Sequence, residues 1–272
     1  MLLTIFTPTY NRAYSLERLY KSLVTQSLKD FEWLVVNLSY ARYSENPCIY
    51  SEELINKFVS DNKVKICYFK QENGGKHRAI NRGAAMAQGD YFLIVDSDDY
   101  LTSDAVESIK REWIKVCTRS DISGICFRKI NYSTNEIIGK AFPKDKLFAT
   151  TFDIYYNWKI RGDKAEVFRT SLIRKNPFPE ISGERFMTEA YVWNKIAGHR
   201  KSMLYCINQG IYMCDYLPDG LTANFKCLLR NNPKGYIKYY SSLLGNAVIW
   251  RHPIDILKIS IRLCQSIYYC LL

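Results

Sequence analysis

Asp96-Ser97-Asp98-Asp99 places three carboxylates within four residues, directly after the apolar, β-branched run Tyr91-Phe92-Leu93-Ile94-Val95. Such a run reads as a buried strand. A strand that ends in carboxylates delivers them to the rim of a sheet, where open α/β folds bind their ligands. Packed so closely, the carboxylates repel one another unless a cation lies among them. Hard oxygen donors suit Mg²⁺ or Mn²⁺, which bridge one or two carboxylates to substrate phosphates. The chemistry implied is a nucleotide or diphosphate held through a divalent metal. An acidic turn capping the next helix is the plainer alternative.

Positioning such a site takes a sheet and helices, and the chain ahead of it supplies both. Residues 2–7 form an apolar strand; Leu16, Leu19, Tyr20 and Leu23 mark one face of a helix. Residues 31–38 read as a second strand, Leu54, Ile55, Phe58 and Val59 as a second helical face, and residues 64–69 as a third strand. Asn73-Gly74-Gly75 breaks the chain before a helix over 77–88 that ends at Gly89. Residues 91–95 are the fourth strand. Strands separated by helices form right-handed βαβ units, so the fold class is α/β, with a mostly parallel sheet flanked by helices. Further on, the pattern predicts a helix to about Cys117, a strand over 122–130 and a loop or hairpin excursion over 131–151. A strand over 164–169 and a short helix over 188–197 follow, then two short strands within 202–216, parted at Asn208-Gln209-Gly210. The division expected is one α/β domain over 1–225 and a helical extension over 226–272, with Pro253 starting its last helix.

The composition, 47% hydrophobic and 24% charged over 272 residues, is globular. No run approaches the ~18 apolar residues of a membrane span. Met1 to Phe6 is too short, and lacks the basic lead, to act as a signal peptide. Nine singly spaced cysteines, with no Cys-x-x-Cys pair, suit reduced thiols better than zinc. A cytoplasmic location is therefore expected. Thirty-eight basic against 27 acidic residues give +11, which favours anionic partners. Nucleic acid is not expected among them, because the basic residues form no aromatic-interleaved stripe.

Three blocks, in order, carry a resemblance: Thr7-Pro8-Thr9-Tyr10-Asn11-Arg12, then Asn73-Gly74-Gly75-Lys76-His77-Arg78-Ala79-Ile80-Asn81-Arg82-Gly83, then Gly89-Asp90 through Asp99. Together they resemble the inverting, nucleotide-sugar-dependent glycosyltransferases of family 2, with their GT-A fold. The resemblance spans about residues 1–105 and continues more weakly to about 225. It implies that Asp98 is the chief metal contact, with Asp96 toward the ribose or the metal shell and Ser97 on the donor side. Pro8, Thr9 and Tyr10 would shape the turn around base and ribose, and Arg12 would contact phosphate or base. Lys76, His77 and Arg78 stand at a helix start, where N–H groups and cations converge on an anion. Arg78 is the leading phosphate ligand of the three, since a guanidinium binds phosphate bidentately. Asn81 holds either that turn or the carboxylates.

Inverting transfer also needs a base for the acceptor hydroxyl's proton. The resemblance places an acidic pair at a helix start beneath the acceptor, where this chain reads Thr188-Glu189-Ala190-Tyr191-Val192-Trp193. Glu189 is the candidate base and Glu184 the second candidate. The resemblance further implies that Trp193 stacks on a sugar or packs in the core, that Asp163 binds sugar hydroxyls, and that Asp219-Gly220-Leu221-Thr222 forms a loop closing over the donor or a plain surface turn. Three departures stand out: Val36-Asn37-Leu38 where relatives carry Asp-Asp-Gly-Ser after the second strand, Ile80 where many carry Arg, and Ala190 in the acidic pair. Asn37 hydrogen-bonds a base but brings no charge.

The implied activity is transfer of a hexose or hexosamine from a nucleotide-sugar, a UDP-sugar in the first instance, with Mn²⁺ or Mg²⁺ as cofactor. The acceptor implied is a hydroxyl of a glycan or lipid-linked saccharide in cell-envelope polysaccharide synthesis. The basic C-terminal helices would rest on the inner face of the cell membrane or pack plainly against the catalytic domain. The alternative is a catalytically weakened member that binds nucleotide or glycan as a scaffold for partner transferases.

Overall fold

A computed structural model of the chain describes residues 1–38, 47–215 and 225–272. The Asp219 to Thr222 segment, and Ser39 and Tyr40 after the second strand, lie outside the described residues. One mixed sheet organises the chain, in the order β3-β2-β1-β4-β9-β6-β10-β5. Its strands are β1 (Leu3–Thr9), β2 (Phe31–Asn37), β3 (Ile66–Lys70), β4 (Tyr91–Ile94), β5 (Tyr100–Leu101), β6 (Ile122–Asn131), β9 (Lys164–Arg169) and β10 (Met203–Cys214). The short strands β7 (Glu136–Ile137) and β8 (Phe148–Ala149) pair with β6 and β10.

Every residue of β1 and β2 is buried, as strands covered on both faces require. One face, through Leu3, Ile5, Leu93, Val95 and Val167, packs on α1 (Ala13–Val24), α2 (Pro47–Asp61) and α4 (Ala105–Ile114). The apolar stripe Leu16, Leu19, Tyr20 and Leu23 is what α1 buries there. The other face, through Phe6, Phe92, Cys126 and Phe168, packs on α3 (Lys76–Met86), α5 (Thr170–Lys175) and α6 (Glu189–Ala197). Helix α3 lies against β1 so closely that a Cβ on Gly83 would stand 2.3 Å from the Phe6 ring. Only glycine permits that approach.

The sheet is parallel from β3 to β4, as the βαβ pattern predicts, and then departs from it. Strand β9 enters antiparallel between β4 and β6. After β6 the excursion through Phe142, Ile154 and Ile160 packs over the second face, and the chain re-enters from the rim where β4 ends. Asp163 and Lys164 thereby arrive beside the Asp96 turn. The two short strands expected within 202–216 are one strand, β10, with register shifts between Cys206 and Tyr212. Asn208-Gln209-Gly210 makes a bulge there instead of a turn, and Gly210 fits because a Cβ would meet Ile130 at 2.4 Å.

The C-terminal helices α7 (Phe225–Asn231), α8 (Pro233–Leu244) and α9 (Pro253–Leu271) share a cluster of Leu229, Tyr236, Tyr240, Leu243, Ile249 and Ile259 with Phe152 of the preceding fold. Glu184 ties them down. Its buried carboxylate accepts the N–H groups of Lys234 (2.7 Å) and Gly235 (2.8 Å), the open donors at the start of α8. Asn232 Oδ1 accepts the N–H groups of Arg185 and Phe186, both at 2.9 Å. Glu184→Gln exchanges one acceptor oxygen for an amide facing a backbone donor, an expected cost of about 2 kcal/mol. Differential scanning calorimetry should show Tm lower by roughly 4–8 °C, with nucleotide binding unchanged.

Candidate active site

The turn after β1 begins with Asn11 in the left-handed region (φ 52°) and hands over to α1 at Arg12. The Arg12 guanidinium pairs with the Asp98 carboxylate, and Arg18 donates to the Asp98 carbonyl while lying over the rings of Tyr100 and Tyr132. Pro8 and Thr9 are buried at the end of β1, and Tyr10 is half exposed. The first and third motif blocks thus meet at the rim of the sheet, across the pairing of β1 with β4.

The second block joins them through Lys76. Its ammonium lies 2.6 Å from Asp96 and 2.7 Å from Glu189, so one cation links the strand-end carboxylate to the start of α6. Burial alone would push the Lys76 ammonium down, but the two carboxylates together hold it above its usual value. Burial likewise works against the Asp96 carboxylate, which Lys76, Lys129 and Arg12 nevertheless hold below the usual range. Helix α3 starts at Gly75 (φ 98°) with no acid in its first turn; the Gly75 N–H donates to Asn73 Oδ1 and the Arg78 N–H to the Gly75 carbonyl, which leaves the N–H groups of Lys76 and His77 to face an anion. The site restricts Gly75 itself: a Cβ would stand 1.8 Å from the Arg185 carbonyl oxygen.

Among the described residues three buried side-chain polar atoms find no hydrogen-bond partner, and two belong to these blocks: Thr9 Oγ1 and His77 Nδ1. Orphaned atoms of this kind ask for an explanation, and a polar ligand is one. Burial, followed by the charge of Arg78, pushes the His77 imidazole down to about 4, so it stays neutral.

Other expected residues have structural partners. Arg78 donates to the carbonyls of Gly74 and Ile181 and pairs with Glu180, and Asn81 clasps Phe178 through both its amide N–H and its oxygen. Both bind α3 to the loop that leads into α6, so α3 also positions Glu189. Asn37 is fully buried and donates to Tyr68 Oη at 2.9 Å. Trp193 is 8% exposed, packed against Phe168 and Phe178. Asp163 is exposed at the entry to β9, and Ser97 is buried within the acidic turn. Glu184 sits in its cap on α8, apart from the Lys76 bridge.

Sequence patterns alone did not reveal Lys129 and Tyr212. Tyr212 Oη donates to Asp99 at 2.7 Å and accepts the Asp96 N–H at 3.0 Å. The Lys129 ammonium lies 3.9 Å over the Tyr212 ring and 4.0 Å from Asp99. Burial, then Asp96 and Asp98, push the Asp99 carboxyl up to about 7. Asp99 is therefore a framework group beneath the turn, while Asp96 and Asp98 face the rim. Among the described residues no three His, Cys, Asp or Glu side chains are arranged to hold a metal on their own. Asp96 and Asp98 are two hard oxygen donors of the type that suits Mg²⁺ or Mn²⁺, and each is paired here with a cationic side chain, Lys76 and Arg12.

Residues 4–177 match the family described as glycosyl transferase family 2. The chain belongs to glycosyl transferase family 2. Relatives include the chondroitin synthase of Pasteurella multocida, 31% identical over 158 residues, which cover 58% of this chain and 14% of that protein. The GalNAc(5)-diNAcBac-PP-undecaprenol β-1,3-glucosyltransferase of Campylobacter jejuni is 26% identical over 70% of this chain and 58% of its own length. The chain spans 14–15% of the length of the Pasteurella synthases and of the pneumococcal glycosyltransferase GlyA. Among solved structures, the mannosyltransferase PcManGT from Pyrobaculum calidifontis, in complex with GDP-Man and Mn²⁺, superposes with a TM-score of 0.60 at 15% identity, covering 98% of this chain and 73% of that one. S. aureus TarS 1-349 with UDP-GlcNAc gives 0.58 at 18% identity, over 87% and 67%. At these identities the likeness shows the shared fold of this family 2 chain, a GT-A sheet with helices on both faces.

Proposed function

We propose that this family 2 chain transfers a sugar from a nucleotide-sugar to a hydroxyl of a glycan or lipid-linked saccharide, with inversion. One observation carries the reading: Lys76, at the open start of α3, joins the donor-side Asp96 to the acceptor-side Glu189. Nucleoside diphosphate binds at the α3 N-terminus, with Thr9 and His77 offering polar contacts and Arg12 and Lys76 countering its charge. Asp98 and Asp96 would hold Mn²⁺ or Mg²⁺, which would supply stabilisation of charge on the departing diphosphate. Glu189 meets the acceptor hydroxyl from the opposite side and orients it for proton removal. Support for an envelope-glycan acceptor comes from the Campylobacter relative, a glucosyltransferase named for its undecaprenol-linked saccharide acceptor.

Calorimetric titration with UDP, then GDP, in the presence of Mn²⁺ tests the donor site. Saturable, metal-dependent binding of one of them is the expected result and names the base. Binding of neither would favour the scaffold reading, with buried Asn37 as the reason.

The acceptor class has a counterpart on α9. Ile254, Leu257, Ile261, Cys264, Tyr268 and Leu271 are exposed and recur every three or four residues, a continuous apolar stripe. Residues 225–272 carry seven basic side chains and one acidic one, and that acid, Asp255, is paired with Lys159. Two such tails would repel one another, whereas an anionic bilayer complements both stripe and charge. No described helix is long and apolar enough to cross a membrane. The chain should float with phosphatidylglycerol vesicles but not with phosphatidylcholine ones, and Leu257→Glu with Ile261→Glu should abolish flotation. A dimer in solution and no vesicle binding would assign the stripe to a second copy instead.

A further inference from the structure

Glu166 lies on the same face of the sheet as Asp96, one level deeper. It pairs with Cys126 of β6, and β9 runs antiparallel to β4 through the Leu93–Val167 pair. One step along that ladder brings Glu166 beside Ile94, two residues before Asp96. Strand alternation puts its side chain on the face of Phe92, Cys126 and Phe168, onto which α3 and α6 pack. Glu166 is partly buried, and no hydrogen bond or ion pair reaches its carboxylate from any described residue. The groups that face it are Asp163 and Lys164 from its own strand and its approach, Lys129 and Cys126 from β6, Cys206 from β10, Tyr155 from the turn over 153–157, and Glu189 from α6. Burial, helped by Glu189 and Asp163, pushes its carboxyl up to about 7 against the pull of Lys164 and Lys129.

Glu189, by contrast, is already balanced by Lys76, and Ala190 leaves α6 without a second acid. We propose that Glu166 is that second carboxylate, supplied from β9, and the group on which the acceptor hydroxyl's proton comes to rest. The assignment depends on the transferase reading and extends it. The acceptor's O–H bond breaks, and its oxygen forms the bond to C1 of the donor sugar with the electron pair released. The C1–O bond to the diphosphate breaks, and its electron pair leaves with the diphosphate. The proton neutralises Glu166 and is later lost to solvent at its exposed edge, while Glu189 holds the hydroxyl in line. Water entering in place of the acceptor follows the same course and gives hydrolysis.

Hydrolysis of UDP-GlcNAc, UDP-glucose and GDP-mannose with Mn²⁺, followed by nucleotide release from about pH 5.5 to 8.5, tests this. The wild-type rate should rise with pH through about 7, as Glu166 loses its proton. Glu166→Gln should fall roughly 100-fold or more and lose that rise, while Glu166→Asp regains part of both. Binding of UDP and Mn²⁺ to Glu166→Gln should match the wild type. A Glu166→Gln enzyme that keeps the rise overturns the proposal, as does one that loses nucleotide binding. Carboxyl ¹³C titration is a second measurement, independent of turnover: a Glu166 midpoint near the ordinary ~4.3 rather than about 7 also overturns it. If the wild type binds neither UDP nor GDP, the transferase reading itself has failed, which is a separate outcome.

Discussion

Asp98→Ala is expected to weaken Mn²⁺-dependent binding of the nucleoside diphosphate by roughly 100-fold or more, a loss of about 2.7 kcal/mol. Asp98 is the partly exposed carboxylate at the tip of the acidic turn, and its present counter-charge is Arg12. In the absence of the carboxylate, a divalent ion has Asp96 alone on the protein side. Asp96 is in turn committed to Lys76 at 2.6 Å. Metal and diphosphate therefore lose their shared anchor together, so affinity should become nearly independent of Mn²⁺.

The variant should still fold, because the ion pair it breaks is about a quarter exposed on each side, and such pairs contribute little to stability. Isothermal titration with and without Mn²⁺, beside a thermal melt, separates the two effects. A variant that keeps metal-dependent affinity within a few-fold of the wild type would remove Asp98 from the site. Arg12→Ala makes a useful contrast. It frees Asp98 of its counter-charge while removing a cation from the phosphate side, so it should weaken nucleotide binding with the metal dependence intact.

What the chain disclosed in advance follows from how local each signal is. The strand that leads into Asp96 and the helix opening at Gly75 are written in contiguous residues, and both lie where the pattern placed them. Lys76 was legible as a helix-start cation. Its partners were not, because Asp96 and Glu189 reach it from two other elements. Lys129, Tyr212 and Glu166 sit on strands whose neighbours in space are remote in sequence, so no motif marks them. The alternation Lys164-Ala165-Glu166-Val167-Phe168 did carry a hint, since it puts two charged side chains on an otherwise apolar, covered face. The mostly parallel sheet expected from the βαβ rhythm is present in β3-β2-β1-β4, and β9 is the antiparallel insertion, because the long excursion after β6 returns the chain from the opposite end. Local turn residues also misled at Gly210, because glycine serves a bulge as readily as a turn.

Glu189→Gln should reduce turnover by roughly 10²-fold or more, because the acceptor hydroxyl loses the group that holds it in line. The effect on donor affinity should go the other way. Asp96 at 2.6 Å and Glu189 at 2.7 Å attract the one ammonium almost equally, so Lys76 is shared between them. Neutralising Glu189 leaves the ammonium to Asp96 and to an incoming diphosphate, and UDP should bind as tightly as before or a few-fold tighter. A fall in kcat with no rise in the donor KM is thus the signature of an acceptor-side residue. Weaker donor binding at unchanged kcat would instead make Glu189 a mere tether for Lys76. Comparison with Glu166→Gln apportions the chemistry: loss of the pH rise belongs to Glu166, and loss of rate at every pH belongs to Glu189. If both variants lose rate by similar factors and the double variant loses little more, the two carboxylates act as one unit, as groups that share a proton do.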